Sequence, residues 1–285
     1  MGNTPQPAQA QSRQPGREHE MQPAPDYVPN FPGSGRLRDK RVIITGGDSG
    51  IGRAVAVAMA REGADIAFLY YDEHEDAKET ERLVQAEGRG AVSFAGDVGD
   101  EGFCREAVDS AIDELGGVDV LVNNAAEQHE VDGIEELTAQ QLERTFRTNV
   151  FGYFYMAKAV IPRFQGRRGC SVINTASITA YEGHPTLLDY SATRGAVVTL
   201  TRSLAKKYTP YGIRVNAVAP GPIWTPLIPA SFQPEDVAEH GLSSPMGRPG
   251  QPKEVAPCYV YLASDDASYM SGQVLHPNGG SIVGS

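Results

Sequence analysis

From Arg41 onward, short apolar runs alternate with helix-length amphipathic stretches. That alternation is the signature of βαβ units feeding a parallel sheet. The expected strands are Arg41-Val-Ile-Ile-Thr-Gly46, Asp65 to Tyr70, Ala91 to Ala95, Val118 to Val122, Ser171 to Asn174, Ile213 to Val218 and Gln273 to His276. Their Val and Ile runs are little broken by polar residues, which suits strands covered on both faces. Helices fill the gaps. Thr138-Ala-Gln-Gln141 reads as a capping box, with the Thr hydroxyl and the Gln amide engaging free backbone N–H groups. Gln251-Pro252-Lys253-Glu254 opens another helix with Pro in its first turn. The expected fold is one α/β domain over residues 37–285, a doubly wound seven-stranded parallel sheet flanked by helices.

Residues 1–36 break this pattern. They are rich in Pro, Gln and Ala and close on Pro32-Gly33-Ser34-Gly35. Such a segment cannot bury enough apolar surface to offset its own ordering entropy. It is expected to be disordered when free, or to lie extended on its own or a neighbouring subunit, pinned by Tyr27, Val28 and Phe31.

Composition narrows the partners. The chain of 285 residues carries 36 acidic and 25 basic side chains, a formal charge of −11. That excess disfavours nucleic acid and anionic membranes. Cys104, Cys170 and Cys258 are odd in number and lack metal-ligand spacing, so neither a disulfide framework nor a metal site is expected. No apolar run is long enough to span a bilayer, and no basic-then-apolar leader is visible. Met1-Gly2 fails as an acylation motif because position 6 is Gln6. A cytoplasmic protein acting on a small molecule is the expectation.

The first strand runs into Thr45-Gly46-Gly47-Asp48-Ser49-Gly50-Ile51-Gly52 and then into a helical stretch. Glycines at 46, 50 and 52 let the backbone turn tightly, approach a pyrophosphate and pack helix on strand, while the helix N-terminus offers N–H donors. Asp48, Ser49 and Ile51 complete this candidate cofactor loop. Gly47-Asp48-Ser49-Gly50 also matches the surroundings of a trypsin-like nucleophile, but that chemistry needs a β-barrel, a His base and a buried Asp. A loop entering a helix in an α/β chain does not supply them.

Further motifs follow in order: Asn123-Asn124-Ala125-Ala126 after the fourth strand, Asn149 within a helix, Ser177 ending Ser171-Val-Ile-Asn-Thr-Ala-Ser177, Tyr190-Ser-Ala-Thr-Arg194, and Pro220-Gly221-Pro-Ile-Trp-Thr225. Together with the glycine loop, this order resembles the short-chain dehydrogenase/reductase family from about residue 37 to the end. The Pro-rich extension, Ile173-Asn-Thr-Ala-Ser177 and the ending His276-Pro-Asn-Gly-Gly280 resemble its glucose/ribitol-dehydrogenase-like branch.

The resemblance implies a hydride-transferring NAD(P)-dependent oxidoreductase interconverting alcohol and carbonyl. It makes Tyr190 the general acid and Ser177 the partner that orients the same oxygen, and it gives Asn149 a water in the proton relay. A phenol titrates near 10 in water, so it needs nearby positive charge to work near neutrality. For the cofactor it implies Asp97 and Val98 at the adenine, Asn123 with Ala125 at the adenosine end, and Pro220, Gly221, Ile223 and Thr225 around the nicotinamide. It also implies a homotetramer built on the helices around 138–165 and 188–209 and on the C-terminal segment.

One departure stands out. The family pattern is Tyr-x-x-x-Lys, and position 194 is Arg194. Arg keeps the charge, but its planar fork is bulkier and it does not deprotonate. Electrostatic help for Tyr190 should survive while relay geometry suffers. A second reading therefore stands beside the enzyme: a dinucleotide-binding scaffold or redox sensor with disabled catalysis. At the ribose-reading position, Tyr70 and Tyr71 are followed by Asp72 and Glu73, with no cation after the strand, which favours NAD over NADP. Arg53 is the one cation within reach. The substrate pocket is expected to draw on Glu127, Gln128, His129, Thr179, Glu182, His184, Trp224, Leu227 and Ile228, a mixture compatible with a polyol, a sugar or a small ketone.

Overall fold

The computed structural model describes residues 5–164 and 166–284. Met1 and Gly2 of the acylation motif and the terminal Ser285 lie outside them. Seven parallel strands form one sheet: β1 (Arg41–Thr45), β2 (Asp65–Tyr70), β3 (Ala91–Ala95), β4 (Val120–Asn123), β5 (Cys170–Thr175), β6 (Ile213–Val218) and β7 (Val274–Leu275). Their spatial order is β3-β2-β1-β4-β5-β6-β7, a doubly wound α/β sheet as expected. β4 starts two residues later than its apolar run. Asp119 there is tied by its carboxylate to the Arg41 backbone N–H and side chain, before the ladder with β1 begins.

Alternation along each strand sends side chains to opposite faces. Val42 and Ile44 of β1 pack with Val120 and Val122 of β4 beneath α1 (Gly50–Arg61) and α9 (Pro252–Ala263). Ile43 and Leu121 face the other way, into a second core with α3 (Glu101–Leu115) and α5 (Gly152–Val160). Both faces are covered, which is why the strands read as nearly continuous apolar runs. Among the described residues the other α-helices are α2 (His74–Ala86), α4 (Ala139–Phe146), α6 (Thr179–Glu182), α7 (Leu188–Tyr208) and α8 (Pro234–Glu239).

Both foreseen helix starts exist, with one difference. At α9 the Glu254 carboxylate accepts from the Gln251 N–H at 2.8 Å. At α4 the Thr138 hydroxyl accepts from the Gln141 N–H at 3.1 Å, but the Gln141 amide donates to Asp189 at 3.3 Å instead of closing a capping box. The tertiary partner outcompetes the local one.

The N-terminal segment lies as an extended strap along its own chain. Its anchors are not the three foreseen. Val28 and Phe31 are exposed, and only Tyr27 packs, beneath the Arg53 guanidinium at 5.5 Å. Burial falls instead on Glu18 and Met21. Glu18 accepts from the Gly50 N–H and pairs with Arg53, while Met21 joins Trp224, Ile228 and Val237 in a small core. Polar contacts to the body substitute for the apolar surface the segment lacks.

Candidate active site

Strand order reverses between β1 and β4, and the carboxyl ends of the strands there open a cleft of about 1080 Å³. Such a crevice at the topological switch point is where open α/β sheets bind ligands. One end is built by the loop from β1 to α1. Gly46 and Gly50 adopt φ of +62° and +52°, which side-chain-bearing residues rarely do. A Cβ on Gly52 would lie 1.8 Å from the Gly46 carbonyl oxygen, so only glycine lets helix and strand approach this closely.

Most of the foreseen cofactor positions line this cleft: Gly46, Asp48, Ser49, Gly50, Ile51, Tyr70, Tyr71, Asp97, Val98, Ala125, Pro220, Gly221, Ile223 and Thr225. Gly52 lies behind them. Asn123 does not reach it: fully buried in the sheet, it donates to Asn174 Oδ1 at 2.9 Å. A β-strand alternates its side chains, so the neighbouring Asn124 faces the cleft instead, donating to the Gly46 carbonyl at 3.0 Å and accepting from Thr175. Arg53 turns away, its guanidinium held by Glu18, Asp76 and the Asp48 carbonyl. Burial raises the Asp48 carboxyl to about 6 despite hydrogen bonds from its own backbone and from Ser49.

At the other end Ser177, Tyr190 and Arg194 line the same cleft. Ser177 follows β5 and accepts from the Thr179 N–H at 3.1 Å. Tyr190 lies in the first turn of α7, where Asp189, held by Thr145 at 2.7 Å, accepts from the Tyr190 N–H. One turn further along, the Arg194 guanidinium lies 4.7 Å from the centre of the Tyr190 ring. It donates to Tyr153 Oη at 3.1 Å and to the Thr175 carbonyl at 2.8 Å. Burial works against its charge, yet the Tyr190 and Tyr153 phenols more than offset this and hold its pKa above the ordinary arginine value. Its Nε, also buried, has no partner among the described residues.

Asn149 sits in a π-helical turn, Arg147–Phe151, between α4 and α5. Its side chain accepts from the Glu127 N–H at 2.9 Å and donates to the Glu127 carbonyl at 2.8 Å and to Thr193 at 3.2 Å. Asn149 thereby fixes the loop after β4 against α7 from outside the cleft lining. π-Turns of this kind recur at functional sites.

The substrate end is walled by Glu127, Gln128, His129, Glu182, His184, Leu227 and Ile228, as foreseen. Thr179 and Trp224 are not among the lining residues. Trp224 is fully buried in the small core under the strap, its indole N–H donating to the Pro23 carbonyl at 2.8 Å. His240 lines the cleft unforeseen, and burial lowers it to about 4; burial also lowers His129 and His184. These histidines are therefore neutral near pH 7. Other lining residues escaped the sequence. Arg144 reaches the adenine end, pairing with Asp97 and Glu127. Tyr153, which also escaped, is buried behind the lining as a partner of Arg194 and stands four residues after Asn149, a helical spacing that could have flagged it. Gln14 comes from the strap, and no local signal announces it.

The residues present fit a dinucleotide. The glycine loop at the N-terminus of α1 and Arg194 beside Tyr190 both lie along the cleft.

Comparison with known proteins agrees with this geometry. A family model described as enoyl-(acyl carrier protein) reductase matches residues 46–281. General stress protein 39 of Bacillus subtilis is 57% identical, the match covering 99% of each chain. A glucose and ribitol dehydrogenase homolog of Oryza sativa is 52% identical over 97% of each. A short-chain dehydrogenase from Burkholderia cenocepacia solved with NADP has a TM-score of 0.80 at 29% identity, covering 86% of this chain and 98% of its own. A 3-ketoacyl-(acyl-carrier-protein) reductase from Brucella melitensis complexed with NADH has a TM-score of 0.76 at 33% identity, with the same coverage.

Proposed function

Since the chain belongs to the short-chain dehydrogenase/reductase family, we propose that it reduces small, uncharged carbonyl compounds and oxidises the matching alcohols at the cleft shared by Tyr190, Ser177 and the glycine cradle. The observation that carries this reading is the stacking of Arg194 on Tyr190 within that cleft. A bound nicotinamide dinucleotide supplies or accepts the hydride. Tyr190 Oη donates the proton to the carbonyl oxygen, and Ser177 Oγ hydrogen-bonds the same oxygen and orients it. Arg194 places a fixed positive charge 4.7 Å from the centre of the Tyr190 ring. Asn149 holds the Glu127 backbone, and with it the loop that walls the substrate.

The acidic lining, Glu127, Glu130, Glu182, Asp236 and Glu239, repels anionic substrates and accepts hydrogen bonds from hydroxyls. Polyols, sugars and small aldehydes suit it. NAD(H) is the preferred cofactor. Arg13, paired with Asp72 and Glu73, and Arg144, over the Tyr71 ring and paired with Asp97 and Glu127, are each already held by two carboxylates. A 2′-phosphate would compete with all four.

The protein is a cytoplasmic homotetramer in this reading, with exposed Phe151 and Phe154 on the interface helix. The scaffold alternative draws only on Arg194. A thiol-based sensor has little support, because burial pushes Cys104 up to about 12 and raises Cys170 and Cys258 as well.

The test is steady-state oxidation of NADH and NADPH by propionaldehyde and glyceraldehyde, with NAD⁺ reduction by ribitol as the reverse assay. Turnover with a lower KM for NADH is expected. Cofactor binding without hydride transfer in either direction would leave the scaffold.

A further inference from the structure

We propose that the N-terminal strap forms a wall of the substrate end of the cleft, with Gln14 as a specificity-determining residue. The strap lies outside the family match, which begins at residue 46. Yet Gln14, Pro15 and Gly16 line the cleft together with residues of the loops after β4 and β6.

The Gln14 carboxamide joins those two loops. Its Oε1 accepts from the Gln128 N–H at 3.1 Å and its Nε2 donates to the Gln128 carbonyl, a reciprocal pair on the β4 side. On the β6 side the same Nε2 lies 3.3 Å from the Ala230 carbonyl and 3.5 Å from Ser231 Oγ. His129 Nδ1 stands at 3.4 Å. The clasp thus spans the gap between His129 on one lip and Leu227 and Ile228 on the other.

The strap cannot easily swing away. Before the crossing, the Gln11 N–H donates to the Pro229 carbonyl at 2.6 Å and the Gln6 N–H to the Ala238 carbonyl at 3.1 Å. At the crossing, Gly16 packs so tightly that a Cβ would lie 2.3 Å from the Pro226 carbonyl oxygen. After it, Glu18 is buried against Gly50 and Arg53, and Pro23 accepts from Trp224. A side chain held on both sides and bonded to both lips limits how far a substrate extends beyond its carbonyl. Removing it opens the cleft and loosens the lips, while Tyr190, Ser177 and the glycine cradle are untouched.

The kinetic half of this inference rests on the carbonyl-reductase reading; the structural half does not. The test uses the full chain with Gln14→Ala and Gln14→Glu, the latter keeping size and acceptor but losing the donors. Reduction of propionaldehyde is compared with that of 2-naphthaldehyde. In Gln14→Ala the kcat/KM ratio of the bulky to the small aldehyde should rise about tenfold, through KM rather than kcat. Gln14→Glu should change the ratio less. Amide exchange of segments 125–131 and 226–232 should quicken together in Gln14→Ala, with Gln128 the most affected. An unchanged ratio overturns the specificity role, and unchanged exchange overturns the clasp. If the natural chain reduces neither aldehyde, the carbonyl reading fails, and the exchange measurement still decides the strap.

Discussion

The Arg194 guanidinium spends one terminal nitrogen on Tyr153 and the Thr175 carbonyl, and its Cζ lies over the Tyr190 ring, 4.7 Å from the centre. A lysine at this position has a slimmer head and three rotatable donors, so it can serve a ribose hydroxyl and a relay water in turn. Arg194→Lys should therefore raise kcat by about tenfold, a change of about 1.4 kcal/mol in the barrier, while cofactor affinity stays within about threefold. Stopped-flow and equilibrium titration check the two halves, and equal turnover of both forms would refute the expectation. Tyr190, Ser177 and Arg194 were legible because each belongs to a short local motif. Asn123 was misplaced because its motif names two adjacent asparagines, and only strand parity decides which one faces the cleft. Tyr153 escaped because a buried tyrosine in an apolar helix reads as packing.

Among the elements, the end of the strap is fastened to the end of α1 by a compact polar knot. The Glu62 carboxylate, at the end of α1, accepts from the Ser34 N–H at 2.9 Å, from the Arg36 N–H at 3.1 Å and from the Arg36 guanidinium at 2.7 Å. Burial pushes its pKa up, but these bonds outweigh that and hold it near 2, against an ordinary value of 4.5. A depressed carboxyl stabilises the fold above its unfolded pKa and loses that contribution as pH falls. Glu62→Gln should lower the melting temperature at pH 7, with the gap to the natural chain closing between about pH 4.5 and 2. A gap independent of pH would contradict this assignment. Strands were legible from apolar runs alone, since both faces of the sheet are covered. The partner of Gln141 was not, because Asp189 lies far along the chain and wins over the local cap.

At the scale of the molecule, the strap closes on a core of its own making. Met21, 3% exposed, meets Trp224, which is the chain's single tryptophan. Met21→Ala should cost about 2–4 kcal/mol at that site if the cavity does not collapse, and should shift Trp224 emission to the red as water enters. Unchanged emission would mean the strap does not depend on this contact. Composition made the segment legible as something unable to fold alone. Its path could not be read, because Glu18, Met21 and Gln14 acquire their roles only from partners more than thirty residues away.

Single-turnover oxidation of bound NADH by propionaldehyde, comparing the natural chain with Tyr190→Phe, decides whether Tyr190 delivers the proton in carbonyl reduction. Loss of the hydroxyl should slow the step by about 10²-fold or more with cofactor affinity unchanged; a Tyr190→Phe chain reacting at the natural rate would contradict the account.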